Sequence, residues 1–360
     1  VRIIFASTPV GPLGSGIGGG VELTLRTLAD ELARRGHVVD VVAPRGSRLD
    51  GVDAACTVHA VDGVLHVPSQ TLARDETPVV PAGSVLTAMW DLIEDIARAG
   101  DVVLNFAYDE LPFERTVPGG ASVAHLVSMG SLSDGMDRAV RSAVMREPRN
   151  VAMHSRAQAM TFGADVADAV TIVASGIDTT RYDFVTEPEN VIGFVGRVSP
   201  EKGIDDLFAV AERDGREVRV WGVKEDERCW EEARRAHPGA NVTWRGFLPT
   251  DALQAEIGRC RAIVMVHKWV EAFGNVAIEA LACGVPVVTY ARGGPAEIVT
   301  DGVTGRVVAP DDVDAVVSAL AGIGAIDRRR CRELVMESYT REAFGARVEA
   351  WLAAVPGVRP

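Results

Sequence analysis

Residues 262–284 read AIVMVHKWVEAFGNVAIEALACG. Ala262-Ile263-Val264-Met265-Val266 is a short apolar run, the pattern of a buried strand. Val276-Ala277-Ile278-Glu279-Ala280-Leu281-Ala282 is rich in helix formers, and Cys283-Gly284 ends it. Strand, short loop, helix is the repeating unit of α/β proteins. Here it sets Glu271 ahead of the helix and Glu279 inside it, with Phe273-Gly274-Asn275 between them.

The same alternation extends in both directions. Upstream of the quoted unit it gives strand 191–195, helix 203–213, strand 217–221, helix 226–236, strand 242–245 and helix 250–259. Downstream come strand 285–289 and helix 311–321. An earlier series starts with strand 2–6, a glycine-rich loop and a helix near 20–35, where Val21, Leu25, Leu28 and Leu32 share one face. Strand 38–43, an irregular region over 55–82, helix 84–99, strand 102–106, strand 121–127, helix 134–146 and strand 170–173 follow. Between the series, SGIDTTRYDFVTEPEN (175–190) is polar and aperiodic and reads as a linker. The expectation is an α/β protein of two Rossmann-like, doubly wound domains facing a cleft, over 1–174 and 191–340. Phe344, Val348, Trp351 and Leu352 give a helix near 341–354 an apolar face, and 341–360 is expected to pack back on the first domain.

Composition narrows the function classes. Net charge is −13, which argues against nucleic acid as a partner. No apolar run approaches ~18 residues, so integral membrane association is not expected. Five scattered cysteines without a CxxC read as reduced thiols of a cytoplasmic protein. Only Lys202, Lys224 and Lys268 occur among 37 basic residues, so each lysine merits inspection.

Loops after strands are where α/β sheets bind ligands. Gly14-Ser15-Gly16-Ile17-Gly18-Gly19 matches GxGxxG, yet it starts well after Ala6, and Pro44-Arg45 stand where an acid is required while Asp40 falls mid-strand. An NAD-dependent oxidoreductase therefore stays as an alternative reading. The favoured one is Gly19-Gly20 opening a helix with amides available to an anion. After strand 191–195, Gly196 and Arg197 lead to Pro200-Glu201-Lys202 at a helix start, where two cations suit a diphosphate. A diphosphate on the amides of Gly274, Asn275 and Val276 would have Glu279 one turn away, ~6 Å by helix rise, near a ribose. Glu271 would face the sugar beyond the distal phosphate.

The motifs GG-V-E, GRVSPEKG, RGFLP (245–249), EAFGNVAIE and GGPAEIVTDGVTGRVV (293–308) together resemble the retaining glycosyltransferases of family four, with the GT-B fold. The resemblance covers most of the chain and is thinner over 50–150. Within that family it runs to actinomycete antibiotic-pathway enzymes of the orthosomycin (avilamycin) type. It implies transfer of a sugar from a nucleotide sugar, expected to be a UDP-sugar, to a small-molecule or oligosaccharide hydroxyl, with no cofactor beyond the donor. It assigns Glu271 to the donor sugar and Glu279 to the ribose. Arg197 and Lys202 would take the diphosphate, with amides at Gly19, Gly20 and Gly274 to Val276; the base would lie near Gly246, Phe247 and Leu248. Phe273 and Asn275 fall within the same motif. His125, in SVAHLVSMG after a first-domain strand, resembles the family's histidine beside the transferred sugar, but lacks the usual following acid. His267-Lys268-Trp269 departs from the family's small Ser-containing loop, which leaves the donor sugar open. Asn105 to Asp109 either line an acceptor pocket or lie on the surface. No DxD suits a metal, since Asp312-Val313-Asp314 opens a peripheral helix as a cap would; Arg197 and Lys202 would replace the ion. Retention is the family's property, and no carboxylate nucleophile is evident, which favours front-face displacement. A non-catalytic sugar-nucleotide-binding protein is the third reading.

Overall fold

The computed structural model describes residues 1–16, 19–49, 52, 55–69, 72–76, 80–117 and 119–358. It divides into two units, Val1–Gly176 with Arg341–Pro360, and Ile177–Thr340. The first unit runs β1 (Arg2–Ala6), α1 (Gly20–Arg34), β2 (Val38–Pro44), β3 (Cys56–Val61), α2 (Val85–Ile96), β4 (Val102–Asn105), α3 (Leu111–Glu114) and β5 (Ser122–Val127). It continues through α4 (Asp134–Arg146), β6 (Val151–Met153), α5 (Arg156–Met160), α6 (Ala164–Ala169) and β7 (Thr171–Ile172). Among the described residues these strands form one parallel sheet in the order β3-β2-β1-β4-β5-β6-β7.

Alternation along β1 sorts its side chains to two faces. Ile3 and Phe5 pack with Leu25, Leu28 and Leu32 of α1, whereas Ile4 and Ala6 pack with Met89, Trp90 and Ile93 of α2. Ser84 sets the start of α2 by accepting the Thr87 N–H at 3.2 Å.

The second unit runs β8 (Val191–Val195), α7 (Ile204–Asp214), β9 (Glu217–Trp221), α8 (Glu227–Ala236), β10 (Val242–Gly246), α9 (Thr250–Arg259) and β11 (Ala262–Met265). α10 (Asn275–Ala282), β12 (Val287–Tyr290), α11 (Pro295–Ile298), β13 (Gly305–Val308), α12 (Val313–Ala321) and α13 (Arg328–Ser338) complete it. Its sheet is parallel, in the order β10-β9-β8-β11-β12-β13. The chain then returns to the first unit as α14 (Arg341–Ala354), whose Phe344, Val348, Trp351 and Leu352 join the core built on α1. Trp351 Nε1 donates to the Arg149 carbonyl at 2.7 Å.

Two features differ from the sequence reading. The segment read as a linker belongs, from Ile177 onward, to the second unit. Ile177 and Tyr182 are buried, Asp183 N–H donates to Gln254 at 2.9 Å, and Glu189 N–H donates to the Arg259 carbonyl at 2.8 Å. The alternation also omitted α3, β6, α5 and α6, and α11, β13 and α13, which are too short or too polar to show a period. Ile17 and Gly18 of the glycine-rich loop lie outside the described residues.

In each sheet the strand order reverses at one place, between β1 and β4 and between β8 and β11. The crevice outside the carboxyl ends of such neighbouring strands is where open α/β sheets hold ligands.

Candidate functional site

At the second unit's switch point, the loops after β8 and β11 meet. Pro200–Lys202 forms a 3-10 turn, and α7 starts only at Ile204, so Lys202 precedes the helix instead of standing in its first turn. Gly203 between them has φ 75°, and a Cβ there would stand 1.9 Å from the Val266 carbonyl oxygen. Glycine is thus what lets the turn lie against the end of β11. The Lys268 N–H closes the contact on the Glu201 carbonyl at 2.9 Å.

This places Lys202 Nζ 2.5 Å from Glu271 Oε2 and 4.9 Å from the centre of the Trp269 ring. The same oxygen accepts Trp269 Nε1–H at 3.1 Å and lies 3.1 Å from His267 Nε2. Burial disfavours the Glu271 charge, but Lys202 and His267 outweigh it and hold the carboxyl well below the usual range. Burial and the neighbouring Lys202 push the His267 imidazole down, so at neutral pH a neutral ring donates to Glu271. Lys202, expected with Arg197 on a diphosphate, is ion-paired with the glutamate expected to hold the sugar. Arg197 is itself turned onto Glu201 at 2.8 Å and onto Glu225, two carboxylates within reach of its loop beside Gly196.

Gly274 caps α10 at φ 94°, and a Cβ there would meet Pro295 Cγ at 2.6 Å. Asn275 and Val276, the first residues of α10, are partly exposed. Phe273 is buried, edge-on to Tyr339 at 5.9 Å, and reads as a support for the loop. One turn into the helix, Glu279 is 7% exposed and accepts the Tyr182 hydroxyl at 2.8 Å. Burial raises its pKa to about 7, with Tyr182 and Arg181 working the other way. Gly246 ends β10, with Leu248 half-buried and Phe247 59% exposed at the sheet edge. Beside them Trp244 Nε1 donates to the Gly222 carbonyl at 2.9 Å, and Lys224 lies over Trp244 at 4.9 Å.

In the first unit, the Gly19 N–H is engaged by the Gly16 carbonyl at 3.2 Å and is not the bare donor expected. Glu22 reaches back from α1 to take the Gly14 and Gly16 amides at 2.8 and 3.2 Å, an internal carboxylate in a loop read as an anion cradle. Gly20 starts α1 beside it. His125 lies within β5, 5% exposed, stacked on Phe113 at 4.1 Å with 9° between the planes. Asn105 spends one N–H on the Ala107 carbonyl at 3.0 Å and presents the other to His125 Nδ1 at 3.4 Å. That arrangement assigns the ring proton to Nε2. Burial, then Arg146, lowers the His125 pKa to about 3, so this ring is a neutral donor.

Asp40, the acid nearest to what a nicotinamide site needs, is tied to Arg2 at 2.7 Å and His59 at 2.6 Å inside the sheet. Asp312 caps α12 by accepting the Ala315 N–H at 2.8 Å, and Asp314 pairs with Arg213 at 2.6 Å. The sequence reading missed Tyr182, which sat in the supposed linker, and gave no role to His267 and Trp269. The signals were present: a tyrosine in a polar stretch, and two large donors within four residues of Glu271. Together, a lysine-bound carboxylate, a glycine-capped helix start and a second, buried carboxylate can hold hydroxyls on either side of an anion.

Residues 179–333 match the model of the family described as glycosyl transferases group 1. Over 388 aligned residues the chain is 26% identical to D-inositol 3-phosphate glycosyltransferase of Nocardia farcinica, covering 95% of this chain and 85% of that protein. Among solved structures it is similar to AviGT4, a glycosyltransferase involved in avilamycin A biosynthesis, with TM-score 0.70 and 21% identity over 98% of this chain and 97% of that one. Anabaena Alr3699/HepE in complex with UDP superposes with TM-score 0.72 and 18% identity over 99% and 100% of the two chains. The chain has the GT-B fold of these neighbours and is a glycosyltransferase, and its residues 179–333 match the glycosyl transferases group 1 family.

Proposed function

We propose that the donor is a UDP-sugar, that a hexosyl group passes to an acceptor hydroxyl with retention of configuration, and that the product belongs to antibiotic or oligosaccharide biosynthesis. The observation that carries this reading is the Lys202–Glu271 pair, set at the β8/β11 switch just ahead of the glycine-capped start of α10. The family resemblance and the UDP bound to a fold neighbour support it.

In this reading the diphosphate sits on the amides of Gly274 to Val276. Glu271 accepts the transferred sugar's hydroxyls, Glu279 accepts the ribose, and the base lies by Gly246 to Leu248 with Phe247 available to stack. From the first unit, this reading assigns His125, with its proton on Nε2, to the sugar and Gly19-Gly20 to the phosphates. When the glycosidic bond breaks, negative charge grows on the leaving phosphate, and fixed cations there lower the barrier. Lys202 supplies one while remaining within reach of Glu271. Arg197 supplies another once phosphate oxygens displace Glu201 and Glu225. These two cations do the work of a metal, so turnover in excess EDTA should match turnover without it; loss restored by Mg²⁺ or Mn²⁺ would remove this part of the proposal.

The test of the whole reading is nucleotide-dependent thermal protection followed by turnover. UDP should raise the melting temperature where NAD does not, and the anomeric signals of the product should match the donor's. Protection by NAD alone, or an inverted product, contradicts it.

A further inference from the structure

The first unit's switch point encloses a cavity of its own. Thr8 to Val10, after β1, and Phe106 to Asp109, after β4, form two of its walls, and His66 closes a third. His66 Nδ1 lies 3.0 Å from Asp109 Oδ2, and Nε2 lies 2.6 Å from Ser84 Oγ. A carboxylate only accepts, so the ring donates from Nδ1 to Asp109, while Ser84 Oγ, which also accepts the Thr87 N–H, meets Nε2. The other Asp109 oxygen takes the Leu111 N–H at 3.1 Å. Asp109 is thus a carboxylate fixed from two sides on the cavity wall. Both side chains are largely buried, at 7% exposure for His66 and 13% for Asp109.

The remaining lining divides by chemistry. Thr8, Ser69 and Ser128 bring hydroxyls, while Val10, Val21 and Met129 bring apolar surface. Among the described lining residues there is neither arginine nor lysine. A phosphate monoester carries a charge of about −1.5 to −2 and needs guanidinium or ammonium partners when it leaves water. Beside Asp109 it would be repelled.

We propose that this cavity takes the acceptor, that the acceptor is an unphosphorylated polyol ring, and that Asp109, positioned by His66, selects it by accepting its hydroxyl protons. The inference rests on the glycosyltransferase reading and adds the substrate class. The ring's hydroxyl edge meets Asp109 and the hydroxyl-bearing side chains, and its C–H face lies on the valines and methionine.

Calorimetry on the full chain saturated with UDP tests it, using paired probes: myo-inositol against inositol 3-phosphate, and glucose against glucose 6-phosphate. The unphosphorylated member of a pair should bind at least ~10-fold more tightly. Asp109→Asn should weaken it by roughly 10- to 100-fold, the value of a charge-assisted hydrogen bond, while UDP affinity stays put. Ser128→Lys, which adds the missing cation, should turn the preference toward the phosphate. Tighter binding of the phosphates by the parent chain overturns the proposal, as does binding of neither polyol, or indifference to both substitutions. Failure of UDP to bind the parent chain would strike the donor reading instead, so the two failures are distinguishable.

Discussion

Glu271 and Glu279 lie on either side of the same glycine cap in opposite electrostatic settings. Glu271 is kept ionised by Lys202 and His267, whereas burial keeps Glu279 protonated up to about pH 7. The folded chain therefore binds one more proton than the unfolded chain between the ordinary glutamate pKa and about 7. Stability from this group falls as pH rises through that window and is fully lost above it. The size is about 3 kcal/mol at most. Glu279→Gln keeps an acceptor for Tyr182 and removes the charge, so its melting temperature should exceed the parent's at pH 8.5 and approach it at pH 5. An equal offset at both pH values would show that ionisation is not the cause. UDP affinity of that variant should fall by no more than ~100-fold, with KM rising more than kcat drops. Glu271→Gln should instead leave UDP binding nearly intact and lower kcat, because its proposed contact is with the sugar being transferred. Equal loss of UDP affinity in both variants would end the assignment of opposite ends. The two glutamates were legible in the sequence because their spacing around Gly274 is local. Their partners were not, because Lys202 and Tyr182 come from 69 and 97 residues upstream.

Elements were legible where a period had room to develop. Helix 134–146 and strand 191–195 stand where the pattern put them, as α4 and β8. GRVSPEKG shows the limit: Pro200 marks a helix start by its fixed φ, yet the helix begins after Gly203, which the left-handed backbone and the Val266 carbonyl require. Sequence period carries no information about such a backbone contact. Gly203→Ala tests what the contact is for. The substituted residue must hold a left-handed φ, at a cost of ~1–3 kcal/mol, and its Cβ must push the turn away from β11. Displaced with the turn, Lys202 loses Glu271. Denaturation should report lower stability of the second unit, and kcat should fall together with UDP affinity, since Lys202 is assigned to the leaving phosphate, while Gly246 to Leu248 and Glu279 on other elements keep part of the UDP binding. Unchanged kcat in a folded Gly203→Ala chain would show that the turn does not place Lys202.

Two β/α series announced two units, and that much follows from repetition alone. Their boundary was harder, because 175–190 is polar on average while Ile177 and Tyr182 are buried against the second unit. An aperiodic stretch hides anchors that a period would reveal. The other end of the chain carries the sharper consequence. Phe344, Val348, Trp351, Leu352 and Val355 are buried in the core that holds Leu25 and Leu28. Losing one large buried side chain costs roughly 2–5 kcal/mol, and a whole domain is stable by only ~5–15 kcal/mol. Removing residues 341–360 takes away five such side chains at once and should unfold the first unit. The second unit keeps its entire sheet within Ile177–Thr340 and should survive. A chain ending at Thr340 should therefore lose one cooperative transition in calorimetry and retain another that UDP still shifts upward. Phe344→Ala, a milder change, should lower only the first transition. If the shortened chain keeps both transitions, α14 is not part of the first core; if UDP no longer shifts the survivor, the donor site needs more than the second unit.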